Sequence, residues 1–161
     1  MNRSLTLKSK ASHSKTTQAG LTLIELMTVL AIISILGVIG TPLYQGYSLK
    51  TKVGTAIPLM APVQRLATEH FILNNSWPAD NNEAGARAPD TYDDNYLSSI
   101  SITDSPEPGT IVLTYDTSQL KVLGTNNTLV FYPVLNETSS VSWKCDKGTI
   151  ADRYRPATCR S

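Results

Sequence analysis

Residues 21–40 read LTLIELMTVLAIISILGVIG, an apolar run in which Glu25 is the one charged residue. A helix rises about 1.5 Å per residue, so this run would measure roughly 30 Å, the thickness of the hydrocarbon core of a bilayer. Pro42 follows soon after, and proline weakens the turn of helix before it. The run therefore predicts a helix over residues 21–42 that spans a membrane or fills the centre of a filament.

The segment before the run is basic. Residues 1–20 carry four basic residues and no acid, whereas ten basic and thirteen acidic residues follow, which gives net charges of +4 and −3. Positive charge beside a membrane span stays on the cytoplasmic side, so the remainder of the chain is expected across the membrane. Ordinary secretory signals are cleaved after their apolar segment. Here the small residues Ala19 and Gly20 precede it, so cleavage there would leave the apolar helix in the mature protein.

Glu25 is unusual for its position. A charged side chain costs roughly 2.5–3.5 kcal/mol at the centre of a membrane helix and less toward the end. A residue kept against this penalty is a candidate functional residue. The alternative is that its carboxylate simply reaches the headgroup region.

The segment that follows is amphipathic. After Pro42, apolar residues recur mostly at three- and four-residue steps, which is a helical spacing. We expect one long, kinked helix from about Leu21 to Leu73, in which residues 43–73 form the amphipathic half. Two helices broken near Pro58 are the alternative, because proline disturbs the turn before it.

Residues 74–161 are predicted to form a globular head. Residues 74–109 are rich in Pro, Gly, Asn and Asp, which predicts a long connection with a short helical turn near residues 92–100. β-branched and aromatic runs then predict four strands, which are Ile111–Tyr115, Leu120–Leu123, Leu129–Leu135 and Val141–Cys145. Short turns between them favour an antiparallel meander over residues 110–145. The expected fold is α+β, with the long helix packed on a four-stranded antiparallel sheet.

Two cysteines, Cys145 and Cys159, lie in the last part of the sequence. In an exported protein a disulfide is the first expectation, with buried thiols or a reactive thiol as alternatives. A zinc site is not expected, because His70 is the one histidine outside residues 1–20 and zinc takes about four ligands.

The sequence offers no catalytic constellation. Gly37 and Gly40 lie inside the apolar run rather than in a phosphate-binding loop, and His70 is expected on the helix surface. The acids of DTYDDN, residues 90–95, could suggest calcium, but the glycine and terminal glutamate of an EF-hand are missing. A solvated loop is the favoured interpretation, and we expect no enzyme, no cofactor and no metal site.

Basic residues gather near the end of the sequence. They are Lys144, Lys147, Arg153, Arg155 and Arg160. Such a patch could bind nucleic acid, whose backbone is recognised mainly by Lys and Arg. A solvated face is the favoured interpretation, so nucleic acid is a possible partner that we do not expect.

The signature formed by Gly20, the apolar run with Glu25, and Pro42 followed by two tyrosines resembles the precursor signature of type IV pilins. The resemblance implies that a prepilin peptidase cuts between Gly20 and Leu21, so that residues 1–20 are a cleaved leader. It also implies that the new amine of Leu21 is methylated.

The end of the sequence is similar to the same family. WKC at residues 143–145 and RYRPATCRS at residues 153–161 resemble the disulfide-bounded C-terminal loop of major pilins. The resemblance implies a bond between Cys145 and Cys159 that closes the loop 145–159. Some pilins carry an O-linked glycan on a serine beside this loop, so Ser161 is a candidate for that modification, with an unmodified serine as the favoured alternative.

Glu25 lies four residues beyond the amine that cleavage would create at Leu21, which is roughly 6 Å along a helix axis. A neighbouring subunit with a small axial stagger could bring its amine level with this carboxylate. In an apolar setting the two charges attract strongly and relieve each other's desolvation. Glu25 is therefore predicted to act in assembly. The alternative is a bond to the amine of its own chain.

The resemblance implies a structural subunit of a homo-oligomeric helical filament. Residues 21–40 would hold the precursor in the inner membrane as a single-pass protein with a cytoplasmic leader. The inner-membrane pilus assembly machinery would then move it into an extracellular fibre that serves adhesion, twitching motility or DNA uptake. A pseudopilin of a type II secretion system and a signal-anchored binding protein are the alternatives.

Overall fold

The computed structural model describes residues 20–92, 95–137 and 140–160. The chain divides into one compact unit that ends at Ile39 and a second that begins at Gly40. The helices and strands are α1 (Leu23–Thr55), α2 (Ala61–Asn74), β1 (Leu97–Thr103), β2 (Thr110–Tyr115), β3 (Thr128–Leu135) and β4 (Val141–Gly148). Short 3₁₀ turns lie between them at Ile57–Met60, Pro89–Thr91 and Lys121–Leu123, and two more follow β4 at Asp152–Tyr154 and Ala157–Cys159.

In the first unit every described residue is exposed. The large apolar side chains from Leu21 to Ile39 are between 49% and 84% exposed. Two polar side chains bond to the helix backbone: the hydroxyls of Thr28 and Ser34 donate to carbonyls one turn earlier, at 2.9 and 2.7 Å. Residues 23–39 thus form an apolar helix that no other described residue covers. They belong to the helical stretch Leu23–Asn74, which is long and apolar enough to cross a membrane by length and composition.

The predicted long helix is confirmed. Pro42 lies inside α1, whereas Pro58 and Pro62 lie where the hydrogen bonding of the helix changes. The α-helical pattern ends at Thr55, a 3₁₀ turn covers Ile57–Met60, and α2 starts at Ala61. Pro58 and Pro62 each occupy the first turn of the element they belong to. A first-turn N–H has no helical partner in any case, so proline is tolerated there.

The sheet is the expected antiparallel meander, with strand order β1-β2-β3-β4. Two of the predicted elements are wrong, however. Leu97–Thr103 was expected to include a helical turn and is instead the edge strand β1, so the connection after α2 is shorter than predicted. A bulge between Leu97 and Ser99 shifts the register and breaks the alternation of buried and exposed residues that normally identifies a strand.

The second wrong element is the predicted strand Leu120–Leu123. Leu120 and Leu123 are both buried, at a spacing of three residues, while Val122 between them is 68% exposed. That spacing fits one turn of 3₁₀ helix, in which side chains three apart share a face. Gly124 ends the turn with a positive φ of 54°, a conformation that favours glycine.

The core of the second unit lies between the helices and one face of the sheet. Val53, Met60 and Val63 belong to the same buried cluster as Ile111 and Leu129. A polar contact fixes the two layers as well, because the buried hydroxyl of Tyr115 donates to the carbonyl of Val53 at 2.7 Å. The head is therefore held to the second half of α1 by both apolar burial and a buried hydrogen bond.

The outer edge of β1 is occupied by a side chain of the preceding connection. The buried amide of Asn81 donates to the carbonyl of Ile100 at 2.9 Å and to that of Arg87 at 2.8 Å. Its oxygen accepts from the N–H of Ile102 at 2.7 Å. Asn81 thus satisfies edge groups that a further strand would otherwise take.

Candidate functional site

The helix α1 begins in a capping box. Thr22 donates to one carboxylate oxygen of Glu25 from its backbone N–H at 2.8 Å and from its hydroxyl at 2.7 Å. The N–H of Glu25 donates in return to the Thr22 hydroxyl at 3.3 Å. Threonine followed three residues later by glutamate is the signature of this motif. The signature is visible in the sequence, although the cap was not among the features predicted from it.

This cap gives Glu25 a local reason to be at the start of the helix. The first turn carries unpaired N–H groups and a partial positive charge, which a carboxylate stabilises. Both bonds from Thr22 fall on the Oε2 atom. Within residues 20–92, 95–137 and 140–160 no donor is found for the other oxygen, Oε1.

The predicted cleavage site lies just before the cap. Leu21 is 84% exposed. A Cβ added at Gly20 would meet no atom within 4 Å. Contacts within the described part of the chain therefore do not require glycine at this position, and a requirement for it would have to come from a partner that binds the segment.

The predicted disulfide is present in the second unit. Cys145 and Cys159 are bonded, with their Cα atoms 4.6 Å apart. Both are buried. The bond attaches the last 3₁₀ turn, Ala157–Cys159, to the strand β4. Ser161, the candidate for glycosylation, lies outside the described residues.

Arg155 organises the loop that the disulfide closes, so its predicted place in a solvated basic face is wrong. Its side chain is buried, and its guanidinium donates to the carbonyls of Asp146, Gly148 and Ile150. Asp152 lies 3.5 Å away and supplies a counter-charge. A buried charge needs such partners, and the forked guanidinium can serve several carbonyls at once.

Gly148 is required at the point where the loop leaves β4. Its φ is +117°, and a Cβ there would lie 2.5 Å from the carbonyl oxygen of Thr128. A side chain is excluded both by the backbone conformation and by this close approach.

A second group of charges on the sheet is also satisfied within the chain. The ammonium of Lys147 lies 2.7 Å from a carboxylate oxygen of Glu107 and 4.0 Å from the centre of the Tyr132 ring. The Tyr132 hydroxyl donates to Asp146 at 2.7 Å. This hydrogen bond and, to a smaller extent, burial of the ring raise the pKa of Tyr132 to about 12. Lys147 and Arg155 are thus engaged by the chain itself, which reduces the basic face that the sequence suggested.

His70 is less exposed than expected. Its side chain is 14% exposed, and its two ring nitrogens lie 3.0 Å from the Ser76 carbonyl and 3.7 Å from a Glu83 carboxylate oxygen. These contacts attach the end of α2 to the connection after it. Of the acids considered for calcium, Asp93 and Asp94 lie outside the described residues.

Comparison with protein families gives two matches. Residues 50–160 match the model of the pilin family, described as a bacterial filament. Residues 15–41 match the prokaryotic N-terminal methylation motif. The second match contains Gly20, Leu21 and Glu25, and the first contains the sheet and both cysteines.

Proteins with similar sequences are named as fimbrial or type IV pilin proteins. The chain is 33% identical over 147 residues to the fimbrial protein EcpC of Eikenella corrodens, covering 91% of this chain and 94% of that protein. It is 28% identical over 164 residues to the type IV major pilin protein PilE of Neisseria gonorrhoeae, covering 90% and 95%. A crystal structure of a type IV pilin from Pseudomonas aeruginosa aligns with a TM-score of 0.48 and 18% identity, covering 70% of this chain and 97% of that one.

Proposed function

Since this chain belongs to the pilin family, we propose that it assembles through Glu25 and the amine that cleavage between Gly20 and Leu21 would create. It is a structural subunit of a type IV pilus and not an enzyme. Membership of the family also implies a membrane-anchored precursor that is processed by prepilin peptidase and polymerised into a filament. The residues that perform these steps are the subject of the proposal.

The observation that carries the proposal is the exposure of every described residue of the first unit, 20–39. An apolar surface of this extent is covered in a stable state by lipid or by another protein. We place residues 21–40 across the inner membrane in the precursor, with the basic leader 1–20 on the cytoplasmic side. In the fibre the same side chains would be buried against neighbouring helices, so one surface serves both states. The inner-membrane assembly machinery would move the subunit between them.

Glu25 is suited to favour the docking of subunits that have been cleaved over those that have not. Its Oε2 atom is held by Thr22. The proposed partner of Oε1 is the Leu21 amine of a neighbour, which carries a positive charge only after cleavage. Among apolar helices an unpaired carboxylate is costly, and pairing removes that cost at one axial stagger only. A bond from Glu25 to the amine of its own chain would not favour docking.

Mass spectrometry of fibres sheared from the cell surface tests this processing. We expect a mature subunit that starts at Leu21 and carries one added methyl group on its amine. A fibre protein that retains residues 1–20 would overturn the proposed site. The finished fibre serves adhesion, twitching motility or DNA uptake under this proposal, as a property of the assembled filament.

A further inference from the structure

An exposed apolar groove lies along the last turns of α2, next to the sheet. It has a volume of about 430 Å³ and is lined by one side of α2, including Arg65, Glu69, Ile72 and Leu73, and by Trp143 of β4. Ile72 and Leu73 are 73% and 74% exposed. Adjacent large apolar side chains with this exposure, bordered by charges, are typical of a surface that contacts another protein.

A second exposed apolar side chain lies on the turn between β2 and β3. Val122 is 68% exposed, whereas Leu120 and Leu123 on either side of it are buried. The two buried leucines anchor the turn in the core and leave Val122 outward. Lys121 lies next to it and is also exposed.

The register of the sheet places these two features at opposite ends of the head. The turn that carries Val122 leads into β3, which starts at Thr128. Trp143, beside the groove, pairs with Pro133 further along β3. Thr128 and Pro133 are about 17 Å apart along an extended strand. A subunit therefore cannot place its own Val122 in its own groove, whereas a second copy can.

An open fibre requires contacts of this kind. Subunits related by a screw rotation meet through two different surfaces, because a shared identical surface would close the assembly as a dimer. We propose that Val122 of one subunit inserts into the groove of a subunit stacked on it along the fibre, between Leu73 and Trp143. This contact rests on the proposed polymerisation and adds to it an interface between two different surfaces of neighbouring heads.

Charge favours the same pairing. Lys121 would enter beside Glu69, and neither residue forms an ion pair among the residues that the structure describes. The groove also lies along the C-terminal part of α2, whose last turn contains no basic residue. A helix C-terminus carries a partial negative charge, so a neighbour's lysine is stabilised there.

Photo-crosslinking in assembled fibres tests the contact. A benzoylphenylalanine at position 122 is expected to link to the tryptic peptide 66–87, which contains Ile72 and Leu73. Detergent-solubilised monomers of the same variant should give no such link, because the two sites are at opposite ends of one head. Fibres that assemble normally but link elsewhere, or not at all, would overturn the contact while leaving polymerisation through Glu25 intact.

Exchanging the charges of Lys121 and Glu69 tests the pairing, because the double variant has the same amino-acid composition as the wild type. Lys121→Glu and Glu69→Lys are each expected to lower fibre yield about two- to fivefold, as a pair at the rim of an interface would. The double variant restores the opposite charges and should recover most of the yield. A double variant no better than either single one would count against the pairing.

Discussion

Thr22 donates two hydrogen bonds to a single oxygen of Glu25, from its N–H at 2.8 Å and from its hydroxyl at 2.7 Å. The residue proposed to direct assembly is therefore also part of the capping box of its own helix. A glutamate could persist at this position for either reason. The two roles can be separated, because a cap needs an oxygen acceptor whereas the proposed intersubunit pair needs a charge.

Glu25→Gln should keep the helix cap and abolish assembly. Glutamine also serves in a capping box, so α1 should start at the same residue. We expect the variant to be inserted and cleaved but to yield few or no fibres, measured by shearing and immunoblotting. Normal pilus yield with this variant as the sole copy of the subunit would refute the role of the charge.

Thr22→Ala is the complementary change. Loss of a threonine cap destabilises a helix by about 1 kcal/mol. The charge of Glu25 remains, so fibres should still form, although the first turn of α1 should be less stable. Fibre loss as complete as in Glu25→Gln would mean that the cap, rather than the charge, governs assembly.

Gly20→Val should block processing without affecting the folded chain. A Cβ at Gly20 meets no atom within 4 Å, so the substitution disturbs no described contact. We expect intact-mass analysis to show the uncleaved precursor, with an unchanged circular dichroism spectrum in detergent. Gly20→Ala is the graded control and should be cleaved more slowly than the wild type. Wild-type cleavage of Gly20→Val would contradict the proposed site.

These cases show which parts of the molecule the sequence could predict. The first unit could be predicted because hydrophobicity and charge both change at one point in the chain, and a glycine lies at that point. The strand β1 was missed because its bulge removes the simple alternation. The roles of Asn81 and Arg155 were missed for another reason. Each bonds to carbonyls whose positions depend on the folded sheet, so no local pattern distinguishes either residue from an exposed one.

Arg155→Met should destabilise the disulfide loop by roughly 3 kcal/mol, because it leaves three carbonyls without their donor while keeping most of the side-chain volume. Loss of the disulfide should cost a similar amount, about 3 kcal/mol in the chain-entropy model. Urea unfolding of the detergent-solubilised protein measures both. Arg153→Met is the matched control, since Arg153 is exposed and lies over the Tyr154 ring. An equal effect of the two arginine variants would refute the organising role of Arg155.

Tyr132 should ionise later than an ordinary tyrosine, because its hydrogen bond to Asp146 raises its pKa to about 12. A raised pKa means that the folded state holds the proton more tightly than the unfolded state. The resulting stability is complete below the unfolded pKa of about 10 and is lost as the pH rises toward 12. An ultraviolet titration of the wild type minus that of Tyr132→Phe isolates this group. A difference curve with a midpoint near 10 would contradict the assignment.

The side chains at the two edges of the sheet bear on how the protein avoids misassembly. Asn81 occupies part of the outer edge of β1, and Arg155 takes carbonyls at the end of β4 and just beyond it. Sheets with free edges add strands from other chains and can grow into amyloid, which is very difficult to dissociate. The engaged groups, at Ile100 and Ile102 on β1 and at Asp146 and Gly148 on β4, are not free to pair with the backbone of another head. Contacts between neighbouring heads are then left mainly to side chains, whose specificity depends on shape and charge rather than on a repeating backbone pattern.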